Sequence, residues 1–251
     1  MKARAAMAIK NFGIDLSAHN VIDDYDRLLA HDEGGRRIKF AFLRLGYKGK
    51  RDALVDAHYA GLHGKIPLGF YVYSYARTPA EARSEALWAL GELDGMTAEF
   101  PIVFDYEDAS VLTPKLTRAE YTAICRAFLD ELRAAGYYAM LYCNPAFLEG
   151  CADKNELLKY PLWLAHYVED GRQRQYGQRV WQYGTIRPEG ARGAVDANFA
   201  YEQLGRVIRE QGLNSPAKVV LRAQKTVTAG AAAKLTEELE GRGFKVSARK
   251  I

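Results

Sequence analysis

Asp105, Tyr106, Glu107 and Asp108 follow directly on the apolar run Pro101–Phe104. In an extended chain, residues two apart project from the same face, so Asp105 and Glu107 stand side by side. Two neighbouring carboxylates repel, and one of them keeps its proton to a higher pH than an isolated carboxyl would. Hydrolysis of a glycosidic bond needs this division: an acid to protonate the leaving oxygen and an anion to steady the developing cation. Asp15 lies inside Gly13–Ser17 and Asp196 inside Ala194–Asn198. A charge within an apolar segment is costly unless something uses it. Carboxylates on separate strands could converge on one cleft; the spacing equally allows each to accept backbone N–H groups.

Aromatic residues accompany the acids. Tyr71, Tyr73 and Tyr75 share one face of a β-rich run, and Tyr142, Trp163, Tyr167, Trp181 and Tyr183 fall in later runs. Sugar rings stack their C–H faces on such side chains and hydrogen-bond to phenol and indole groups. Tyr71, Tyr73, Tyr142, Trp163, Tyr167 and Trp181 are therefore candidate substrate-binding residues. Other chemistries find little support. The chain has no phosphate-binding loop, no GxGxxG, no GxSxG and no HExxH. Its histidines, His19, His31, His58, His63 and His166, include no close ligand pair. Cys125, Cys143 and Cys151 form no CxxC, which speaks against a zinc knuckle or a disulfide scaffold. No metal and no cofactor is expected.

The elements that must position these residues alternate along the chain. Strands are predicted over 12–17, 39–47, 67–76, 100–108 and 137–144, each rich in β-branched and aromatic residues. Helices are predicted between them, most clearly over Pro79–Leu93, behind Thr78 as cap, and over Thr117–Ala135, ending before Gly136. Strand–helix–strand at this rhythm gives a parallel sheet. Three further strands, over 160–168, 180–186 and 195–201, are separated by polar, Gly-rich stretches without helical period. Parallel crossovers need a dozen or more residues, so at least some late strands should run antiparallel. The expected fold is α/β: an irregular TIM-like (β/α)5β3 barrel over residues 12–211, preceded by an extension (1–11). A helix follows Tyr201. Residues 212–251 then read as a linker and a small βαβ appendage, too small to bury a core alone.

Composition agrees with a globular chain: of 251 residues, 49% are hydrophobic and 26% charged, which excludes a disordered polymer. The formal net charge of +4 arises at the C-terminal end, where residues 205–251 carry ten Lys and Arg against four Asp and Glu. Such a segment suits an anionic polymer. With the body near neutral and no RNA or DNA module in view, a nucleic-acid partner is not expected. No apolar stretch is long enough to span a bilayer, so no membrane insertion is expected. The run in MKARAAMAIK is too short for a secretion signal, so synthesis in the cytoplasm is expected.

FGIDLSAHN, GFYVYSYA, VFDYED, PLWLAHY, VWQYGT and VDANFAY occur in an order that resembles glycoside hydrolase family 25, the Chalaropsis-type lysozymes, many of them phage endolysins. The resemblance covers residues 12–201 and implies a (β/α)5β3 barrel. It also implies cleavage of the β-1,4 bond from N-acetylmuramic acid to N-acetylglucosamine in peptidoglycan. Matched by motif, Glu107 is the general acid, Asp105 its partner carboxylate, and Asp15 and Asp196 the other acids of the cleft. Either a carboxylate or the substrate's own acetamido group would be the nucleophile. The resemblance implies an enzyme that reaches the bacterial wall after membrane permeabilisation; the charge of the tail, which lacks choline-binding or SH3-type repeats, is what suggests anionic wall polymers as its partner. Many members carry His where this chain has Val72. A chitinase-like DxxDxDxE would need Asp at positions 100 and 103, which hold Phe100 and Val103. A glucosaminidase on a similar barrel and a non-catalytic wall-binding barrel are the alternatives.

Overall fold

The computed structural model describes residues 11–112, 116–168 and 174–215, together with 228, 230–232, 234 and 236. Nine strands are present: β1 (Asn11–Leu16), β2 (Ile38–Tyr47), β3 (Lys50–Arg51), β4 (Leu68–Tyr73), β5 (Ile102–Asp105), β6 (Ala139–Cys143), β7 (Leu162–Ala165), β8 (Val180–Ile186) and β9 (Val195–Ala200). They pair in the order β1-β9-β8-β7-β6-β5-β4-β2-β3, and β1 also pairs with β2. Eight strands thus close into a barrel, leaving the two-residue β3 outside on β2. Seven run parallel in sequence around the wall, and β9 alone is antiparallel to both its neighbours, β8 and β1. The expected reversal therefore falls on one strand. β7 and β8 remain parallel because residues 166–179 are long enough to cross back without a helix among the described residues.

Helices pack outside: α1 (Tyr25–Ala30), α2 (Val55–Leu62), α3 (Pro79–Glu92), α4 (Ala109–Leu112), α5 (Arg118–Ala134), α6 (Lys154–Leu157) and α7 (Leu204–Glu210), with a π-helical turn at Phe147–Cys151. The two long ones start where the sequence signals them. The Thr78 side chain accepts from the Glu81 N–H, with Pro79 in the first turn. Thr117 and Glu120 form a reciprocal capping box that satisfies two otherwise orphaned donors. Helix α5 ends at Gly136, whose φ of 83° suits a residue without Cβ. Its buried face, including Ile124, Phe128 and Leu132, covers the sheet, while α3 offers only Ala82, Ala86 and Ala89 and so lies close.

Strand alternation divides the side chains into two cores. Outward residues such as Ile14, Leu43, Phe70, Phe104 and Leu141 meet the helices. Inward residues Phe40, Phe42, Phe100, Val103, Met140, Trp163, Val180 and Leu204 fill the lower barrel. Phe42 stacks on Trp163 at 4.4 Å and Phe40 on Phe100 at 4.8 Å. Room for these rings comes from Gly13 and Gly69, where a Cβ would strike Phe40 at 2.5 Å and Phe42 at 2.6 Å.

The first compact unit extends to Pro216. Asn214, assigned above to the linker, is bound into the barrel floor. Its Oδ1 accepts from the Tyr138 N–H at 2.7 Å, and its Nδ2 donates to the carbonyls of Ala98 and Phe100 at 3.1 and 2.8 Å. The floor contacts thus pass the expected boundary at 211. The strands expected near 219–222 and 244–248 lie outside the described residues, as does most of the helix expected over 229–240. No described helix is long and apolar enough to cross a membrane.

Candidate active site

At the C-terminal ends of the parallel strands, a cleft of about 640 Å³ is lined by Asp15, Asp105, Glu107, Asp196, Arg44 and Gln182, among others. This is the end at which parallel barrels carry their chemistry. Each acid arrives there by strand geometry. Asp105 is the last residue of β5, and Glu107, two residues on, keeps its direction. Asp15 stands near the end of β1. Asp196 is at the start of β9, and because β9 runs backwards its start meets the end of β1, so Asp15 and Asp196 are paired across strands. Four carboxyl groups from three strands therefore line one cleft.

Two of these acids are held in different ways. Asp15 Oδ2 accepts from Asn198 Nδ2 at 2.7 Å and Gln182 Nε2 at 3.0 Å. The amides are themselves oriented: Asn198 Oδ1 accepts from the Trp163 indole at 2.8 Å, and Gln182 Oε1 accepts from the hydroxyls of Tyr142 at 2.9 Å and Tyr167 at 3.3 Å. Each amide thus has its oxygen occupied and its NH2 turned to Asp15. Asp105, by contrast, is buried, with Oδ1 lacking a hydrogen-bond partner among the described residues. Burial, then the Asp196 charge, push Asp15 up to about 7, although both amides pull the other way. Burial raises Asp105 well above the carboxylate range, reinforced by Glu107 and Asp15 and opposed by Arg44. Glu107 is raised by burial, against a hydrogen bond from Tyr142, with Asp196 and Asp108 adding to the rise. Asp196 is raised by burial. All four groups are raised, and the protons they share belong to the cluster rather than to one carboxyl.

Arg44 is the buried cation beside them. It donates to Asp52 Oδ2 at 2.6 Å, and Asp52 also receives the N–H groups of Ala18 and Leu54. The aromatic candidates divide. Tyr71, Tyr142 and Trp163 line the cleft floor and are almost wholly buried, whereas Tyr73 is more open and donates to Asp108 Oδ2 at 3.0 Å. Tyr167 is 59% exposed and reaches the site through its bond to Gln182. Trp181 does not enter the cleft and is a correction. Its neighbours Val180 and Gln182 point inward, so alternation turns it outward onto Phe199, 5.9 Å between rings, with its indole bonded to the His166 carbonyl. Val72 likewise faces the outer core. Gln182, Asn198 and Arg44 were not singled out from sequence, although Asn198 shares the parity of Asp196. Among the described residues, no group of three His, Cys, Asp or Glu side chains is arranged to hold a metal.

The model of glycosyl hydrolases family 25 matches residues 14–187, a span that includes Asp15, Asp105, Glu107 and Gln182. The chain belongs to glycosyl hydrolase family 25. A curated relative, the uncharacterised protein YegX of Escherichia coli K12, is 26% identical over 195 residues, 74% of this chain and 68% of its own. Among solved structures, the modular autolysin LytC of Streptococcus pneumoniae, in complex with a synthetic peptidoglycan ligand, aligns with a TM-score of 0.66 at 24% identity. That alignment covers 75% of this family 25 chain but only 46% of the autolysin. A muramidase from Acremonium alcalophilum aligns with a TM-score of 0.64 at 18% identity, over 81% of this chain and all of its own. At these identities the two structures speak for the fold alone.

Proposed function

We propose that this family 25 glycoside hydrolase cleaves the β-1,4 bond from N-acetylmuramic acid to N-acetylglucosamine in peptidoglycan, with Glu107 as general acid. The observation that carries the reading is the buried Asp105–Glu107 pair at the end of β5, facing Asp15 and Asp196 across one cleft. Glu107 lies beyond the strand end and is less buried than Asp105, so it is the one placed to reach a leaving oxygen. Its raised pKa keeps a proton available for transfer. Asp105, deeper and with an unpartnered Oδ1, suits an acceptor for the acetamido N–H of the sugar. Attack of that acetamido oxygen on C1 then breaks the glycosidic bond as Glu107 gives up its proton. Water opens the resulting oxazolinium ring, and Glu107 takes the proton back, restoring the pair. When ionised, Asp15 and Asp196 add negative potential where positive charge develops.

The test is digestion of purified sacculi, with the fragments reduced and identified by mass spectrometry. Fragments ending in reduced muramic acid support the reading. Fragments ending in reduced glucosamine would make it a glucosaminidase, and binding without release a wall-binding barrel. We read the enzyme further as an endolysin that meets the wall once the membrane is breached, with its basic C-terminal segment on anionic wall polymers. Loss of wall binding on removal of residues 217–251 is the expected result; unchanged binding refutes that role for the tail.

A further inference from the structure

A second depression, of about 550 Å³, adjoins the active-site cleft. It is lined by Lys48, Tyr75, Ala76, Arg77, Ala80 and Trp88, with Glu81, Ser84 and Glu85 beside them. Tyr75 lines both cavities, so the two border on one ring. The wall on the other side is a built turn. Tyr47 pairs with Lys50, and Lys48 and Gly49 between them both have positive φ, 51° and 66°, the geometry of a tight two-residue hairpin. The hairpin is fixed against the groove because Gly46 has no side chain: a Cβ there would collide with the Lys50 carbonyl and the Trp88 ring. Lys48 Nζ lies 3.8 Å from the Tyr75 ring centroid.

The groove is mixed in character, and its charge is usable. Glu85 is committed, accepting from the Ser74 hydroxyl and the Tyr75 N–H, and Glu81 accepts from the Arg77 N–H. Lys48 and Arg77 form no ion pair among the described residues; the Arg77 guanidinium donates only to the Ser110 carbonyl. Two cations thus flank a floor of alanine methyl groups and aromatic rings. A glycan stripped of its peptide offers only the lactyl carboxyl of each muramic acid, held close to the sugar ring. A peptide branch carries its carboxylates further out, together with small side chains that fit an alanine and indole floor.

We infer that this side groove receives the peptide branch carried by the muramic acid residue, with its carboxylates on Lys48 and Arg77. The inference rests on the muramidase reading and deepens it: a glycan in the main cleft would send its branch across Tyr75. The enzyme should therefore favour peptide-bearing over peptide-free chains. Two partly exposed ion pairs together correspond to about a three- to tenfold difference in KM. The experiment compares KM and kcat on glycan chains with intact branches and on the same chains stripped by an amidase. The wild type is set beside the double variant Lys48→Asn, Arg77→Gln; asparagine tolerates the left-handed turn position, and a thermal melt confirms folding. Expected is a lower KM for the branched chains in the wild type and a KM ratio near one in the variant. Equal KM values in the wild type, or a ratio unchanged in the folded variant, would overturn the groove assignment and leave the muramidase intact. Cleavage of neither substrate would instead overturn the muramidase reading, and the groove with it.

Discussion

Replacing Asp15 by Asn tests whether the acid cluster is held at a cost to stability. Asp15 is 7% exposed, and its carboxyl is raised from 3.8 to about 7 by burial first and by Asp196 second. Below pH 3.8 the group is protonated in both folded and unfolded chains and carries no penalty. As pH rises toward 7, the unfolded chain releases a proton that the native state retains, so the native state loses stability with rising pH. The full difference of about 3 pKa units corresponds to about 4 kcal/mol, an upper bound because the cluster shares its protons. Asparagine can still accept from Gln182 and Asn198, and its NH2 would face Asp196 rather than repel it. The variant should therefore match the wild type near pH 4 and exceed it by about 2–4 kcal/mol at pH 8. For a chain of this size that is about 4–8 °C in Tm. Thermal and urea denaturation of both proteins between pH 4 and 8 measures it, and turnover should fall sharply at every pH. Parallel loss of stability in the two proteins, or a wild type most stable at pH 8, would refute the reasoning.

Glu107→Gln should lower turnover by about two to four orders of magnitude while the melting temperature holds or rises, read from reducing-end release and calorimetry. The raised carboxyl of Glu107 places a falling limb on the alkaline side of the rate profile, because the proton needed by the leaving group is lost as pH rises; a rate that climbs steadily into alkaline pH would exclude that role. Gln182→Ala leaves Asp15 with one amide donor and removes the acceptor shared by the Tyr142 and Tyr167 hydroxyls, and should cost about 1–3 kcal/mol of stability together with kcat, checked by denaturation and initial rates. Asn214→Ala should destabilise by a similar amount, since three main-chain groups of the barrel floor lose their partner; truncation before residue 213 should then unfold at lower temperature than truncation after Pro216.

The barrel was legible in the sequence because each wall strand is a short β-rich run whose two faces are both buried. Helix α2 was harder to see. Its inward positions are Val55, His58 and Leu62, and a histidine interrupts the apolar period. That His58 is tolerated because Tyr25 and the Ser17 carbonyl satisfy its two ring nitrogens, which no local pattern reveals. In the site, the acids stood out because a charge in an apolar run is conspicuous. The amides that orient Asp15 did not, being uncharged and distant in sequence. Trp181 was selected for its aromatic type, whereas strand parity, with Val180 and Gln182 inward, decides its side.

That parity also explains how one barrel holds both a dry floor and a charged cleft. Each inward-facing row changes character within two residues as it climbs: Phe42 gives way to Arg44, Val103 to Asp105, Met140 to Tyr142 and Val180 to Gln182, while in the reversed β9 Ala200 leads through Asn198 to Asp196. The aromatic layer around Phe42 and Trp163 lies immediately below the carboxyls and keeps water from solvating them from beneath. Burial is accordingly the largest cause of the rise at all four acids, ahead of their mutual repulsion. The floor therefore acts on the chemistry from beneath the carboxyls. Trp163 does so twice, by excluding water and by fixing Asn198 against Asp15. Trp163→Phe should preserve the stacking on Phe42 yet free that amide, so that the pH profile shifts more than KM does.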